Sequence, residues 1–193
     1  MRDRPPGRSE HRLARRLLGA LLTFVVSAAG VIGLLLFFAA RDAGEVEPGR
    51  ALEVRGPGQR FGDQGARHLR RGERSSVRPN SSPPTSGPHV PAPVRRAETT
   101  LSRDQLLHAL ELGNVVLLYG DSRAPPALQT LVDGFSGPFE PALAAGGQAV
   151  ILAQRPGTTG VIALAWRQRL QVPSPVDPRL SEFIEFWLGR GRA

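Results

Sequence analysis

The stretch HALELG, residues 108–113, places a histidine and a glutamate three positions apart. On a helix, positions separated by three or four residues share one face, so His108 and Glu111 would lie side by side. Imidazole and carboxylate groups are both ligands of transition metals. The same stretch is also typical of a helix end, with Gly113 as the left-handed residue that closes it. The pattern leaves open whether the pair belongs to a working site or only to a helix-to-strand connection.

The element that carries this pair has a well-marked start. Ser102 and Gln105 fit a capping box, and Leu106, Leu107 and Leu110 form an apolar stripe at helical spacing. The run NVVLLY, residues 114–119, follows directly and predicts a buried strand. We therefore predict a helix that ends near Gly113 and leads straight into the sheet.

The rest of the C-terminal half predicts further helices and strands. A helix with proline at its start is expected over 125–135, strands over 148–154 and 161–172 with the turn RPGTTG between them, and a last helix capped by Asp177. The order is α-β-α-β-β-α. Because a helix joins the first two strands, we expect them to be parallel, and we expect the last two to form a hairpin. The predicted fold is α+β, with helices on a three-stranded mixed sheet.

The N-terminal part predicts a membrane anchor. Residues 17–40 are 24 positions without a charge, and a helix of that length spans a hydrocarbon core of about 30 Å. Arginines dominate the tail 1–16, which favours a cytoplasmic N-terminus and an extracytoplasmic C-terminal domain in the cell membrane. The apolar run exceeds the roughly 7–15 residues of a signal peptide, so we interpret it as an uncleaved single-pass anchor.

Between the anchor and the domain lies an Arg-, Gly- and Pro-rich stretch. Residues 41–79 have too few apolar side chains to offset the entropy of ordering, so we predict a disordered linker. Residues 80–100 are proline-rich and predict an ordered arm across the domain, whose core is 101–193. His11 and His68 fall in the tail and the linker, where we expect them to be inert.

Composition excludes several classes of function. The chain has no cysteine, which removes disulfides, thiol catalysis and cysteinyl zinc sites. All 25 basic residues are arginine, but most lie in the tail and linker with few aromatic residues, so we predict no nucleic-acid partner. No phosphate-binding loop motif is present, and the spacing of Ser86 and His89 does not make a catalytic pair. Trp166 and Trp187 are expected in the core.

Five segments together resemble a known bacterial family. They are PPTSGPHVPAP, LLHALELGNVVLLYG, ILAQRPG, ALAWRQRLQV and DPRLSEFIEFW. In this order they are similar to the family catalogued as domain of unknown function 3105, whose members are often anchored by one N-terminal span. The resemblance covers 80–193 and implies an architecture rather than a reaction.

The resemblance also implies a set of candidate metal ligands. The family pattern S-G-P-H matches His89, and H-x-L-E-H matches His108 and Glu111, while Leu112 stands where the family has a second helix histidine. A full H-x-x-E-H face with a histidine from the arm could hold a transition metal. Here the set is reduced to two histidines and a carboxylate. We favour the other interpretation, in which His108 and Glu111 are polar-face residues that hydrogen-bond the arm and fix its path.

We therefore expect a membrane-anchored protein with a small extracytoplasmic domain. Its expected role is non-enzymatic, as a binding or interaction module at the cell envelope with an unidentified protein partner and no resident cofactor. The alternative is a domain that binds a transition metal through His89, His108 and Glu111. A hydrolase lacks a recognisable catalytic set.

Overall fold

The computed structural model describes residues 55–97 and 99–192, together with Ile32. Residues 55–193 form one compact unit. Its helices are α1 (Arg103–Leu112), α2 (Pro126–Ser136), α3 (Pro141–Ala145) and α4 (Arg179–Trp187). Its strands are β1 (Gln59–Arg60), β2 (Val115–Tyr119), β3 (Val150–Gln154), β4 (Val161–Ala165) and β5 (Gln168–Val172).

The sheet has five strands, not the predicted three. Their order is β1-β5-β4-β2-β3. The central strand β2 pairs in parallel with β3, as expected for strands joined through a helical connection, and antiparallel with β4. The α+β class is correct, whereas the predicted three-stranded sheet is wrong because two strands were not recognised.

One missed strand comes from the run 161–172, which was predicted as a single long strand. Trp166 and Arg167 break it into the hairpin β4–β5, with Arg167 at a φ of 64°. The expected hairpin between β3 and β4 does not form, because β2 lies between them. Two-residue hairpin turns usually contain Gly, Asn or Asp. This turn has none of them, so no local residue signal marks it.

Both faces of the sheet are covered. Leu117 of β2 faces a cluster built with α2 and α4, whereas Val116 and Leu118 face a second cluster that includes Leu106 and Leu110 of α1. All five residues of β2 are buried, which explains its continuous apolar run. Trp166 and Trp187 each retain 6% exposure, so the prediction that they are core residues is confirmed.

Helix α1 begins and ends as the sequence predicts. The Ser102 side chain accepts a hydrogen bond from the Gln105 backbone and the Gln105 side chain accepts one from the Ser102 backbone. Gly113 closes the helix at a φ of 112°. A Cβ on Gly147 would overlap the carbonyl of Leu112, so glycine is required for this loop to approach the helix end. These contacts fix the last turn of α1, where Glu111 lies.

The linker prediction is wrong for residues 55–79. β1 extends the sheet by pairing with β5, and Ala66 and Leu69 are buried. The indole Nε1 of Trp187 donates a hydrogen bond to the Pro57 carbonyl at 2.9 Å. Composition did not reveal that this segment is ordered, because the order comes from backbone pairing with distant strands. Such pairing requires few apolar side chains.

The N-terminal predictions fall outside the described residues. Among the residues that the structure describes, no helix is long and apolar enough to cross a membrane. The transmembrane helix predicted for 17–40 therefore finds no support in the structure, and apart from Ile32 those positions are not described. The tail 1–16 and the linker residues 41–54 are likewise not described.

Candidate metal centre

Four side chains from three separate segments converge beside α1. They are His68 from the segment before the arm, His89 from the arm, and His108 and Glu111 from α1. We call these four residues the His/Glu cluster. One ligand atom from each lies within 4.8 Å of the ligand atoms of all the others. The three residues predicted from the sequence are thus brought together, and a fourth joins them.

The Glu111 carboxylate lies at the centre of the cluster. Its Oε2 atom is 2.9 Å from Nε2 of His68, 3.1 Å from Nε2 of His89 and 3.8 Å from Nδ1 of His108. His108 and Glu111 are neighbours because they are three residues apart on α1. One carboxylate oxygen therefore lies within reach of three imidazoles.

Helix α1 also holds the arm at the position where His89 must lie. Nη1 of Arg103 donates to the Pro88 carbonyl at 2.9 Å, and the Asp104 carboxylate accepts from the Val90 backbone at 3.1 Å. These two hydrogen bonds hold the residues on either side of His89 in place. The first turn of α1 thus positions the arm histidine against Glu111 in its last turn.

The His89 ring has a fixed orientation. It is fully buried, and its Nδ1 lies 3.0 Å from the Gly87 carbonyl. Because a carbonyl can only accept, Nδ1 donates this bond, and Nε2 is the ring nitrogen that points into the cluster. Nε2 makes no hydrogen bond, although it faces the Glu111 oxygen. Metal-binding histidines usually donate from their other ring nitrogen to a backbone carbonyl, a carboxylate or water.

His108 presents a second unpaired nitrogen. Its Nδ1 is buried without a hydrogen-bond partner and points into the same cluster. Burial lowers the pKa of His108 below its usual value, helped by the neighbouring His89 and opposed by the charge of Glu111. His108 therefore tends to remain neutral near pH 7, which is the form that binds metal ions.

His68 is the residue that sequence reasoning missed. Its neighbours tie the segment to the arm, because the Leu69 backbone donates to the His89 carbonyl at 2.8 Å and the His89 backbone donates to the Arg67 carbonyl at 3.2 Å. His68 and His89 form an isolated parallel bridge with their rings 5.3 Å apart. The expectation that His68 lies in a disordered linker is wrong, whereas its expected inertness stays a prediction. The one available signal was the pair of flanking apolar residues, Ala66 and Leu69, which are buried.

The remaining sequence candidates have other places in the structure. Leu112, the position of the family's second helix histidine, is 38% exposed. Oγ of Ser86 accepts from the Gln64 backbone at 3.0 Å and from the Asn80 amide at 2.9 Å, so this hydroxyl is part of a loop-holding network.

The geometry of the His/Glu cluster suits a small metal ion. In a tetrahedral zinc site with bonds of about 2.0–2.1 Å, ligand atoms lie roughly 3.3–3.4 Å apart. The distances from Glu111 to the three imidazoles, 2.9, 3.1 and 3.8 Å, bracket this value. Three nitrogens and one oxygen form a donor set that suits Zn²⁺ or Cu²⁺ better than Mg²⁺ or Ca²⁺, which prefer oxygen ligands.

Comparison with known proteins gives a family but no activity. No curated protein and no solved structure matches the chain. A family model described as protein of unknown function (DUF3105) matches residues 71–192, which includes His89, His108 and Glu111 and begins just after His68. The chain therefore belongs to the family of domain of unknown function 3105.

Proposed function

We propose that this domain binds one divalent transition-metal ion at the His/Glu cluster. The observation that carries the proposal is the pair of buried imidazole nitrogens, on His89 and His108, that have no hydrogen-bond partner and face the Glu111 carboxylate. Buried polar atoms are nearly always satisfied, and leaving one unpaired costs about 1–3 kcal/mol. A cation shared by these lone pairs and the carboxylate removes that cost.

A purely structural role accounts for the cluster less well. If His108 and Glu111 only fixed the path of the arm, their polar atoms should pair with it. Glu111 does contact His89 of the arm at 3.1 Å. The main chain of the arm, however, is held by Arg103 and Asp104 in the first turn of α1, while Nε2 of His89 and Nδ1 of His108 have no hydrogen-bond partner. This reverses the preference reached from sequence, which favoured a protein-interaction module. That role stays a prediction, as do the envelope localisation and the partner.

The donor set determines which metals should bind best. The chain has no cysteine and one methionine, so soft sulfur ligands that select Cu⁺ are missing from the site. For imidazole and carboxylate donors, Cu²⁺ binds more tightly than Zn²⁺ under the usual order of divalent affinities. We therefore expect Cu²⁺, then Zn²⁺, with Mg²⁺ and Ca²⁺ far weaker.

Titration calorimetry and metal analysis on the full chain test the proposal. We expect one Zn²⁺ per chain and its loss in His108→Ala. His11→Ala is the matched control, because it removes a histidine that is not one of the four cluster residues. Leu112→His should tighten binding, since it adds an imidazole one turn from His108 on the same face. Equal binding by the parent and His108→Ala, or none by either, would overturn the proposal.

A further inference from the structure

The four ligands of the His/Glu cluster are held with unequal firmness. The His89 side chain has no exposed surface, and its ring is fixed by the Gly87 carbonyl. The side chains of His108 and Glu111 are each 16% exposed and belong to a capped helix. The His68 side chain is 51% exposed, and its ring hydrogen-bonds to Glu111. His68 is therefore the ligand on the solvent side.

The His68 ring can leave without breaking the backbone. The bonds that place the segment beside the arm run through the main chain of Arg67 and Leu69. A rotation about the side-chain torsions of His68 moves its ring into solvent while these bonds stay intact. The chain that follows, residues 70–74, is exposed.

The three remaining ligands form a complete smaller set. Two imidazoles and one carboxylate hold zinc in many catalytic sites, where the fourth position is open to water or another donor. His89, His108 and Glu111 supply this set from the arm and α1 alone. The metal can therefore stay in place when His68 moves away.

Charge near the opening favours an anion as the incoming donor. A divalent ion with one carboxylate ligand leaves a net charge of about +1 at the site. Exposed Arg70 and Arg71 follow His68 in the chain, and nearby Arg67 is balanced by Glu73 at 2.8 Å. Positive charges that lie within about 10 Å raise the local concentration of small anions.

We propose that His68 is an exchangeable ligand, and that a monodentate anionic donor, such as a carboxylate or a small inorganic anion, takes its place on the metal. This rests on the metal binding proposed above. His68 then closes the site at rest and opens it to the external anion. The exchange makes and breaks only coordination bonds: the anion donates a lone pair to the metal and the His68 nitrogen withdraws its own.

The test uses the full chain loaded with Co²⁺, whose visible absorption reports the number and type of ligands. Acetate and azide are added separately as the carboxylate and inorganic probes. We expect His68→Ala to keep one Co²⁺ with affinity lowered about 10–100-fold. We expect either anion to bind this variant at least about tenfold more tightly than the parent, because in the parent it must first displace His68.

Charge variants complete the design. Arg70→Ala with Arg71→Ala should weaken anion binding by roughly two- to fivefold for each charge removed, and should reduce its salt dependence. Arg123→Ala with Arg155→Ala is the matched control, because these exposed arginines follow the far ends of β2 and β3. An unchanged anion affinity in the first pair would overturn the role of Arg70 and Arg71 in attracting the anion.

The outcomes separate this inference from the proposed function. If Co²⁺ does not bind the parent, metal binding itself fails. If Co²⁺ binds but neither anion changes the absorption of the parent or His68→Ala, the exchange fails and metal binding stands. If His68→Ala loses Co²⁺ as completely as His108→Ala, His68 is a fixed fourth ligand and the exchange is likewise wrong.

Discussion

Buried polar groups are hydrogen-bonded in one part of the proline-rich arm and left without a hydrogen bond in another. Around Thr85 and Ser86, both fully buried, every side-chain oxygen has a partner, and Asn80 supplies several of these bonds. Three residues later His89 is equally buried, yet its Nε2 atom has no hydrogen-bond partner. We call the first part, Asn80 with Thr85 and Ser86, the Asn80 network.

The difference separates a part whose polar groups stabilise the fold from a part that we propose binds a metal. The Asn80 amide reaches the Gly62 carbonyl, Thr85 and Ser86, each at 2.9 Å, and its oxygen accepts from the Thr85 backbone at 3.1 Å. A closed network of this kind contributes to stability through its own bonds. The His/Glu cluster leaves lone pairs unused at a cost in stability, which is typical of a binding site before its ligand arrives.

The largest effect is expected from Glu111→Gln, which changes the central carboxylate without changing its shape. We expect Zn²⁺ affinity to fall by about a thousandfold, more than the 10–100-fold lost with an outer hydrogen-bond partner. The metal-free protein should keep its free energy of unfolding or gain about 1 kcal/mol, because the new amide can donate to an unpaired imidazole. Calorimetry and urea denaturation measure the two quantities.

Glu185→Gln is the control for this change, since Glu185 is an exposed residue of α4. A loss of several kcal/mol from metal-free Glu111→Gln would contradict the comparison. It would show that the carboxylate stabilises the fold as the Asn80 network does.

Asn80→Ala should lower the stability of the fold and leave Zn²⁺ binding largely unchanged. Removing the amide leaves Thr85, Ser86 and the Gly62 carbonyl short of partners, so we expect the free energy of unfolding to fall by about 2–4 kcal/mol. The folded fraction should still bind one Zn²⁺, because the bonds from Arg103 and Asp104 to the arm remain. Urea denaturation with and without Zn²⁺ measures both, and exposed Ser76→Ala is the control. Loss of stoichiometric binding would show that the two parts of the arm are not independent.

Arg103→Ala tests how helix α1 positions the arm beside His89. It removes the bond to the Pro88 carbonyl next to His89, so a ligand loses part of its positioning. We expect Zn²⁺ affinity to fall about tenfold, the lower end of the range for outer-shell partners, because the Asp104 bond remains. Arg96→Ala removes an exposed arginine of the arm and should have no effect. Equal effects from both would indicate general electrostatics rather than positioning.

Local signals predicted α1 well. Its capping box and Gly113 closure depend on residues within four positions of each other, and the structure reproduces both. The buried strand β2 was equally clear from its apolar run. The five-residue helix α3 was missed because it is too short to show a periodic pattern; it is held instead by the Asn114 amide, which donates to the Ala144 carbonyl at 2.8 Å.

Half of the candidate site followed from local spacing and half did not. His108 and Glu111 share a helix face by periodicity alone, whereas His89 was selected through the family pattern. His68 could not be placed, because its segment reads as polar and unordered by composition. Its position depends on main-chain bonds to His89, 21 residues along the chain, and on the burial of Ala66 and Leu69.

The sequence by itself determined the helices and strands with strong local codes, the pairing of His108 with Glu111 and the lack of any sulfur ligand from cysteine. The tertiary structure alone decided the five-stranded order of the sheet, the burial of His89 without a partner for Nε2 and the entry of His68 into the cluster. The physical reason is that capping, periodicity and turn chemistry act over a few residues. Strand pairing and the convergence of side chains from distant segments depend on main-chain bonds that any residue except proline can make.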